Sequence, residues 1–282
     1  MLTFENSDNK CWKISALQAV AHIPQLANLL RNEEFLAKVL FTKRKNCSDF
    51  ATALSGIMTR YWSSFEHTGV EAITDITDIY VRINRNFAGK KMYDATECFM
   101  KIIETLNSAF LPKKDFVLPE TCDAKAWEEY VIKNSSTFLS DIFTGQTRRV
   151  ATDGEVVFNH FDGITISMKH PTVEAGIREF LHDTDTNVKQ DITKFPLILP
   201  VYLQKTSAKP FIGYDTQLKL SDTVYELFVV MVHSGNHWMT LAKGPSDKWN
   251  LFNDSQIVEI NDLNSLIQRD AMMLLYKKKV DC

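Results

Sequence analysis

The feature that most constrains the fold is a change of hydrophobic period midway along the chain. The first half carries apolar residues at helical spacing, over about 11–31, 33–64, 93–109 and 125–141. Pro24 lies inside the first stretch and predicts a kink or break there. From Phe143 onward, short alternating runs and turn residues take over, interrupted by one short helix at about 172–182. The clearest β-patterns cover about 156–161, 164–168, 197–203, 225–232, 238–242, 248–252 and 272–276. A helical half followed by a β half predicts an α+β fold with two facing lobes.

Composition narrows the class of protein. The chain has 282 residues, 45% of them hydrophobic, which is enough for one large domain or two close lobes. A formal net charge of -3 gives no basic surplus, so no nucleic-acid partner is expected. No apolar run approaches the ~18 residues of a membrane span and none resembles a signal peptide, so no membrane partner is expected either.

The cysteines point to a reducing environment. Five are present, an odd number, and no two form a Cys-x-x-Cys pair. We therefore expect neither a disulfide framework nor a metal site, and no cofactor. Reduced thiols are typical of a cytoplasmic or nuclear protein.

Three side chains far apart in the sequence form a candidate catalytic set. Cys11 opens the first helical pattern, where unpaired N–H groups favour a thiolate and can bind an oxyanion. An imidazole follows in Val-His233-Ser-Gly-Asn-His237-Trp, and an amide in Phe-Asn253-Asp-Ser. A thiol, an imidazole and an amide are the parts of a cysteine protease. The structural alternatives are a small core cysteine for Cys11 and an ordinary β-turn for residues 253–255.

The segment around Cys11 resembles the cysteine box of the ubiquitin-specific protease family. It runs Asn6-x-x-Asn9-x-Cys11-Trp12-x-x-Ser15-x-Leu17-Gln18, followed by His22 and Pro24. The resemblance implies that Cys11 is the nucleophile and that Asn6 completes the oxyanion hole. Asp8, Lys10 and Ile14 stand where the family has glycine, threonine and asparagine.

The downstream segments resemble the histidine box and the final motif of that family. By this resemblance His237 is the base, and His233 is the competing candidate with a structural role. Asn253 orients the imidazole, and Asp254 supports catalysis. Trp238 replaces the usual tyrosine, and together with Trp12 it is expected to bind the substrate. The loop before His237 is almost absent, and Asn236 occupies the usual glycine position.

Tyr93-Asp94-Ala-Thr-Glu97 resembles the family segment that docks the arginine-containing tail of ubiquitin, Leu-Arg-Leu-Arg-Gly-Gly. Asp94 and Glu97 are three residues apart, on one face of the predicted helix. Two carboxylates suit two arginines. The alternative is a solvated acidic first turn that the helix dipole favours.

The family usually carries two Cys-x-x-Cys pairs on a zinc-binding β-extension called the fingers. Here a short turn without cysteine joins the segment at Phe143 to the strand at Phe158. The resemblance, which extends from Asn6 to about Tyr276, implies a papain-like fold in one catalytic domain. Its parts are a helical thumb (about 1–141), reduced zinc-free fingers (142–194) and a β palm (195–282).

The implied activity is hydrolysis of the peptide or isopeptide bond after the C-terminal Gly-Gly of ubiquitin. Two alternatives stay open: a protease for a ubiquitin-like modifier, and a catalytically weak module that binds ubiquitin. The expected partners are ubiquitin or a ubiquitin-like protein and its conjugates.

Overall fold

The structure is a computed structural model that describes residues 1–6, 9–63, 69–112, 123–134, 137–151, 153–167, 169–183, 188–204, 212–262 and 269–279. Its contacts cluster in two compact units. The first comprises Met1–Leu111 and Val229–Gln268, and the second comprises Pro112–Phe228 and Arg269–Cys282. The predicted order of helices before strands is confirmed, and the fold class is α+β. The division into thumb, fingers and palm stays a prediction.

The first unit begins with a series of helices. They are α1 Cys11–Ala21, α2 Pro24–Leu30, α3 Glu33–Val39, α4 Lys45–Trp62, α5 Thr74–Ile83, a 3-10 turn Arg85–Phe87, and α6 Ala95–Ala109. Every residue of α1 is buried, and the helix packs on α2 and α6. The predicted break is confirmed, because Pro24 occupies the first turn of α2, where its missing N–H costs nothing. A short parallel pair, β1 Leu2–Phe4 and β2 Gly69–Glu71, completes this part.

An antiparallel meander follows in the first unit. It consists of the last residues of β10 (Thr223–Ser234), then β11 His237–Lys243, β12 Trp249–Asn253 and β13 Gln256–Ile260. Two of its turns have only two residues, since Ser234 pairs with His237 and Asn253 pairs with Gln256. Gly235 has φ +59, as a tight turn with glycine at its first central position requires. The nearly absent loop before His237 is therefore a β-hairpin turn.

The second unit contains two groups of strands. Its elements are α7 Ala124–Asn134, α8 Leu139–Phe143, β3 Gly145–Val150, β4 Val156–Phe161, β5 Ile164–Ser167, α9 Val173–Leu181, β6 His182–Asp183, β7 Val188–Lys194, β8 Ile198–Gln204, β9 Gln217–Leu220 and β14 Ala271–Lys278. The order β4-β3-β7-β6 forms a four-stranded sheet. Strand β8 pairs with β14 antiparallel and with β5 parallel. Both groups lie in the part of the chain for which alternating patterns were predicted.

Several elements lie where no pattern was strong enough to predict them, among them α5, β2, β7, β9 and β13. The predicted helix at 93–109 is corrected, because α6 begins at Ala95 and Asp94 is its N-cap. Asp8 and Met168, which belong to the segments discussed above, lie outside the described residues. No helix in the described part of the chain is both long and apolar enough to cross a bilayer.

Candidate active site

The segment before α1 positions Cys11. Cys11 is the first residue of the helix and is buried, with 3% of its surface exposed. Asn9 has φ +58, a left-handed conformation that asparagine tolerates better than most residues. Lys10 N–H donates to Asn6 Oδ1 at 2.9 Å, and Lys10 C=O accepts from the N–H groups of Lys13 and Ile14. The Asn6 amide therefore fixes the backbone immediately ahead of the sulfur.

His237 lies at the first position of β11, directly after the two-residue turn. Its Nε2 is 2.7 Å from Asn253 Oδ1, and its side chain is 35% exposed. An amide oxygen only accepts hydrogen bonds, so Nε2 carries the proton. In the neutral ring Nδ1 is then the basic nitrogen, which is the arrangement that a general base requires.

Asn253 and Asp254 meet His237 because of the next tight turn. Asn253 ends β12, and Asp254 is the first residue of the turn, with φ +50. Asp254 Oδ2 accepts from Asn6 Nδ2 at 2.9 Å and lies 3.8 Å from His237 Nε2. The two alternatives for residues 253–255 are thus compatible: the turn exists, and it places both side chains beside the imidazole.

A second set of contacts aligns α1 with β11. Ser15 Oγ donates to Met239 C=O at 3.0 Å, and Thr240 Oγ1 donates to Ser15 C=O at 3.0 Å. Cys11 lies one helical turn before Ser15, about 6 Å along the axis. His237 lies two residues before Met239, also about 6 Å along the strand. Together with the Asn6–Asp254 bond, these contacts bring the start of α1 and the start of β11 to one region.

His233, the competing base, has a different environment. It pairs across the hairpin with Trp238, and the two rings stack with centroids 4.5 Å apart. Its Nε2 is buried and has no hydrogen-bond partner among the described residues. The amide of Asn253 contacts His237 instead. This geometry favours His237 over His233 as the base.

The two tryptophans predicted to contact the substrate are buried in the free chain. Trp12 is 2% exposed and packs on Phe87 and Tyr93, with centroids 5.4 Å and 5.0 Å away. Trp238 is 3% exposed and covered by His233. In this conformation both rings are packing residues, and their contact with a substrate stays a prediction.

Asp94 and Glu97 lie at the exposed start of α6. Asp94 Oδ1 accepts from Thr96 N–H at 2.7 Å, Thr96 Oγ1 at 2.6 Å and Glu97 N–H at 3.2 Å. Asp94 thus satisfies helix donors that would otherwise lack partners. Both carboxylates remain in contact with solvent. The alternative of an acidic helix start is part of the structure, and docking of the substrate tail stays a prediction.

Sequence reasoning missed one notable residue beside the nucleophile. Lys13, two positions after Cys11, is only 4% exposed. Its Nζ lies 4.9 Å from the centroid of the Trp12 ring and 5.8 Å from that of Tyr80. Burial lowers the pKa of Lys13 to about 8. The only available signal was its place between apolar residues of a helix that has no polar face.

No group of three or more His, Cys, Asp or Glu side chains suited to a metal ion occurs within the described ranges. The cysteines expected to be reduced include Cys11, Cys47 and Cys98, which are free thiols. Cys122 and Cys282 lie outside the described residues. That the fingers hold no zinc stays a prediction.

Comparison with known proteins identifies the family. The family model for ubiquitin carboxyl-terminal hydrolase matches residues 3–276. A search of curated protein sequences gave no significant match. Among solved structures, Ubp8 in the SAGA DUB module bound to ubiquitin aldehyde matches with a TM-score of 0.74 and 18% identity, over 100% of this chain and 70% of that one.

Two further structures of this module give the same result. The module bound to monoubiquitin matches with a TM-score of 0.73 and 17% identity, over 100% of this chain and 70% of its own. A yeast SAGA DUB module with a Sgf73 mutant matches with a TM-score of 0.73 and 18% identity, over 100% of this chain and 69% of that one. At these identities the likeness shows the fold, whereas the match to the family model covers nearly the whole chain. This protein belongs to the ubiquitin carboxyl-terminal hydrolase family.

Proposed function

We propose that this chain is a thiol-dependent ubiquitinyl hydrolase that cleaves the peptide or isopeptide bond after the C-terminal Gly-Gly of ubiquitin. The observation that carries the proposal is the 2.7 Å bond between His237 Nε2 and Asn253 Oδ1. It fixes the tautomer in which Nδ1 is free to take a proton, on a strand that packs against the helix opened by Cys11. Membership of the family and the ubiquitin complexes of its structural relatives support ubiquitin as the substrate.

The chemistry has two steps. In the first, His237 Nδ1 takes the proton of the Cys11 thiol, the sulfur attacks the carbonyl carbon of the terminal glycine, and the carbonyl electrons move to oxygen. The tetrahedral intermediate then collapses, the amine leaves with a proton from His237, and a thioester remains. In the second step, water loses a proton to His237 and attacks the thioester. Collapse of this intermediate releases the glycine carboxylate and restores the cysteine.

Asn6 has the geometry of an oxyanion donor. Its Oδ1 is held by Lys10 N–H, and one N–H of its amide group donates to Asp254 Oδ2. An amide NH₂ has two donors, so the second remains for an oxyanion beside Cys11. We infer that Asp254 is a positioning residue, since its carboxylate holds the Asn6 amide and lies near the imidazole.

Substrate docking is assigned to the start of α6. Asp94 and Glu97 are exposed carboxylates, and the two arginines of the ubiquitin tail are their natural counterparts. Trp12 and Trp238 are assigned to the walls of the channel that accepts the tail. The free thiol nucleophile suits a reducing compartment, the cytoplasm or the nucleus.

Replacing the nucleophile tests the proposal. Cys11→Ala is expected to abolish release of the fluorophore from ubiquitin carrying a C-terminal fluorogenic amide, without changing the thermal unfolding midpoint. Cys47→Ala is the matched control, because this half-exposed cysteine lies in α4 and outside the proposed site. Turnover by Cys11→Ala at the wild-type rate would contradict the assignment.

A labelling experiment separates the alternatives. Ubiquitin with a C-terminal vinyl electrophile should form a covalent adduct at Cys11, located by mass spectrometry. If a ubiquitin-like protein with the same electrophile labels Cys11 faster than ubiquitin does, that modifier is the substrate. Non-covalent binding of ubiquitin without any adduct would instead identify a binding module.

A further inference from the structure

A cavity of about 490 Å³ lies against the first turn of α1, outside the set of residues assigned to catalysis. One wall is formed by residues on both sides of Cys11, namely Asn9, Lys10, Trp12 and Lys13. The opposite wall comes from α5, with Thr77 and Arg82. All of these residues belong to the first unit.

Lys13 is the most unusual member of this wall. Its side chain is more than nine-tenths buried, yet its ammonium makes no hydrogen bond to any residue that the structure describes. Its close neighbours are the faces of Trp12 and Tyr80. An ammonium group carries three donors and no acceptor, so the Lys13 ammonium, which lines the cavity, can donate to an acceptor placed there. Burial lowers the pKa of Lys13 to about 8, as noted above.

Two neutral groups in the same wall also lack partners. Thr77 Oγ1 and Trp12 Nε1 are buried and have no hydrogen-bond partner among the described residues. The indole N–H only donates, and buried polar groups without partners are rare in proteins. Both residues line the cavity, and rotation of the Thr77 side chain about χ1 turns its hydroxyl. What this wall lacks is therefore hydrogen-bond acceptors.

The charges around the cavity define the kind of acceptor. Lys13 and Arg82 line it, and Asp78 is the one carboxylate in the lining; Lys10 and Lys90 also line it but have partners of their own. Arg82 is exposed and has no ion-pair partner within the described ranges. A neutral acceptor such as water can accept hydrogen bonds but leaves this positive surplus in place. A dianion with several oxygens satisfies both the donors and the charge.

We propose that this cavity binds a dianionic phosphoryl group, supplied either as free phosphate or on a phosphorylated side chain. Lys13 and Arg82 are its principal charged contacts, and Thr77 contributes a neutral donor. The site shares Trp12 with the proposed substrate channel, but binding of the phosphoryl group requires neither a substrate nor turnover.

Calorimetric titration of the full chain tests the proposal. With inorganic phosphate at constant ionic strength, we expect saturable binding to one site. The affinity for phosphate should fall by about tenfold or more in Lys13→Met, because this variant loses a charge-assisted hydrogen bond. Lys38→Met is the control, because Lys38 lies exposed on α3 and pairs with Glu34. Arg82→Gln is a second test. Because Arg82 is exposed, this test does not depend on whether the Lys13→Met variant folds.

A second titration identifies the source of the phosphoryl group. A short phosphoserine peptide is compared with its unphosphorylated parent and with phosphate itself. Tighter binding of the phosphopeptide indicates a phosphorylated partner, and binding of phosphate alone indicates a free anion; both support the site. No saturable binding of either probe, or equal weakening by Lys38→Met and by both site variants, overturns the proposal, whatever the hydrolase assays show.

Discussion

Similar groups lie at the two ends of α1 in opposite hydrogen-bonding states. At its last turn, Trp62 Nε1 donates to Ala21 C=O at 3.1 Å, whereas at its first turn Trp12 Nε1 has no partner among the described residues. Each end also buries a base. His22 Nδ1 is 2.8 Å from Gln18 C=O, whereas Lys13 makes no hydrogen bond within the described part of the chain.

The last turn of α1 is a complete network. Tyr61 OH donates to Gln18 Oε1 at 2.7 Å, and Gln18 Nε2 donates to Leu2 C=O at 3.3 Å. The rings of Trp62 and Phe252 cover His22, with centroids 5.6 Å and 4.8 Å away. A satisfied buried network specifies one arrangement of the elements that share it. This end of the helix therefore acts as the anchor.

The first turn of α1 is the end that leaves polar groups available. The proposed nucleophile Cys11, the left-handed Asn9 and the unsatisfied Trp12 indole all lie there. Functional sites commonly retain strain and unsatisfied groups that the surrounding structure holds in place. The comparison indicates that variants at the first turn alter chemistry or binding, and that variants at the last turn alter stability.

The largest effect in this comparison is expected from Asn6→Ala. Loss of one oxyanion donor should lower kcat by about 10²–10³-fold with little change in KM. The exposed position of Asn6 predicts a nearly unchanged urea midpoint. Steady-state kinetics on a ubiquitin fluorogenic substrate, with exposed Asn28→Ala as control, give the answer. A loss of stability that matches the loss of activity would show instead that Asn6 stabilises the fold, as the residues at the last turn of α1 do.

The next effect concerns His22 at the anchor. Burial is the main reason that the pKa of His22 falls from 6.5 to about 4. Between these values the unfolded chain binds a proton that the folded chain does not, so stability falls as pH falls through this window. His22 should account for about 2 kcal/mol of the stability lost between about pH 7 and about pH 5.

Urea unfolding at the two pH values measures this contribution. In His22→Gln the difference between them should shrink by that amount, while activity at neutral pH is retained. His182→Gln, a histidine outside this network, is the control and should leave the difference unchanged. An equal pH dependence in wild type and His22→Gln would show that His22 titrates normally.

The smallest effect is expected at the start of α6, where Asp94 both caps the helix and is proposed to bind the substrate. Asp94→Asn keeps an oxygen that caps the helix and removes only the charge. We expect an unchanged unfolding midpoint and a decrease of up to about fivefold in kcat/KM, since exposed ion pairs contribute about 1 kcal/mol or less. Asp94→Lys should weaken substrate binding further, and it also loses the cap.

Rates at low substrate concentration measure this effect. Asp75→Asn, which removes an exposed carboxylate from the first turn of α5, is the control. If Asp94→Asn and Asp75→Asn are equally active, Asp94 is only a helix cap, and the acidic residues at the start of α6 do not dock the substrate tail.

Much of the local structure could be predicted because it depends on neighbouring residues. Helical periodicity identified α4 and α6, Pro24 predicted the break after α1, and the resemblance showed that the loop before His237 is almost absent. Strand β13 could not be predicted, because its residues are largely exposed and do not alternate. Helix α5 was also missed, since its stripe of Ile76 and Tyr80 lies among polar residues.

By itself, the sequence determined the fold class and the candidate residues Cys11, His237 and Asn253, since these depend on periodicity and on short motifs. The tertiary structure decided which atoms meet. The bond between Asn6 and Asp254 joins residues 248 positions apart, and the choice of His237 over His233 depends on which ring the Asn253 amide reaches. The burial of Lys13 was decided in the same way, because a helix packed on all sides buries a charge that its sequence would place at the surface. Hydrogen bonding and burial depend on distances between distant segments, and only the folded chain fixes those distances.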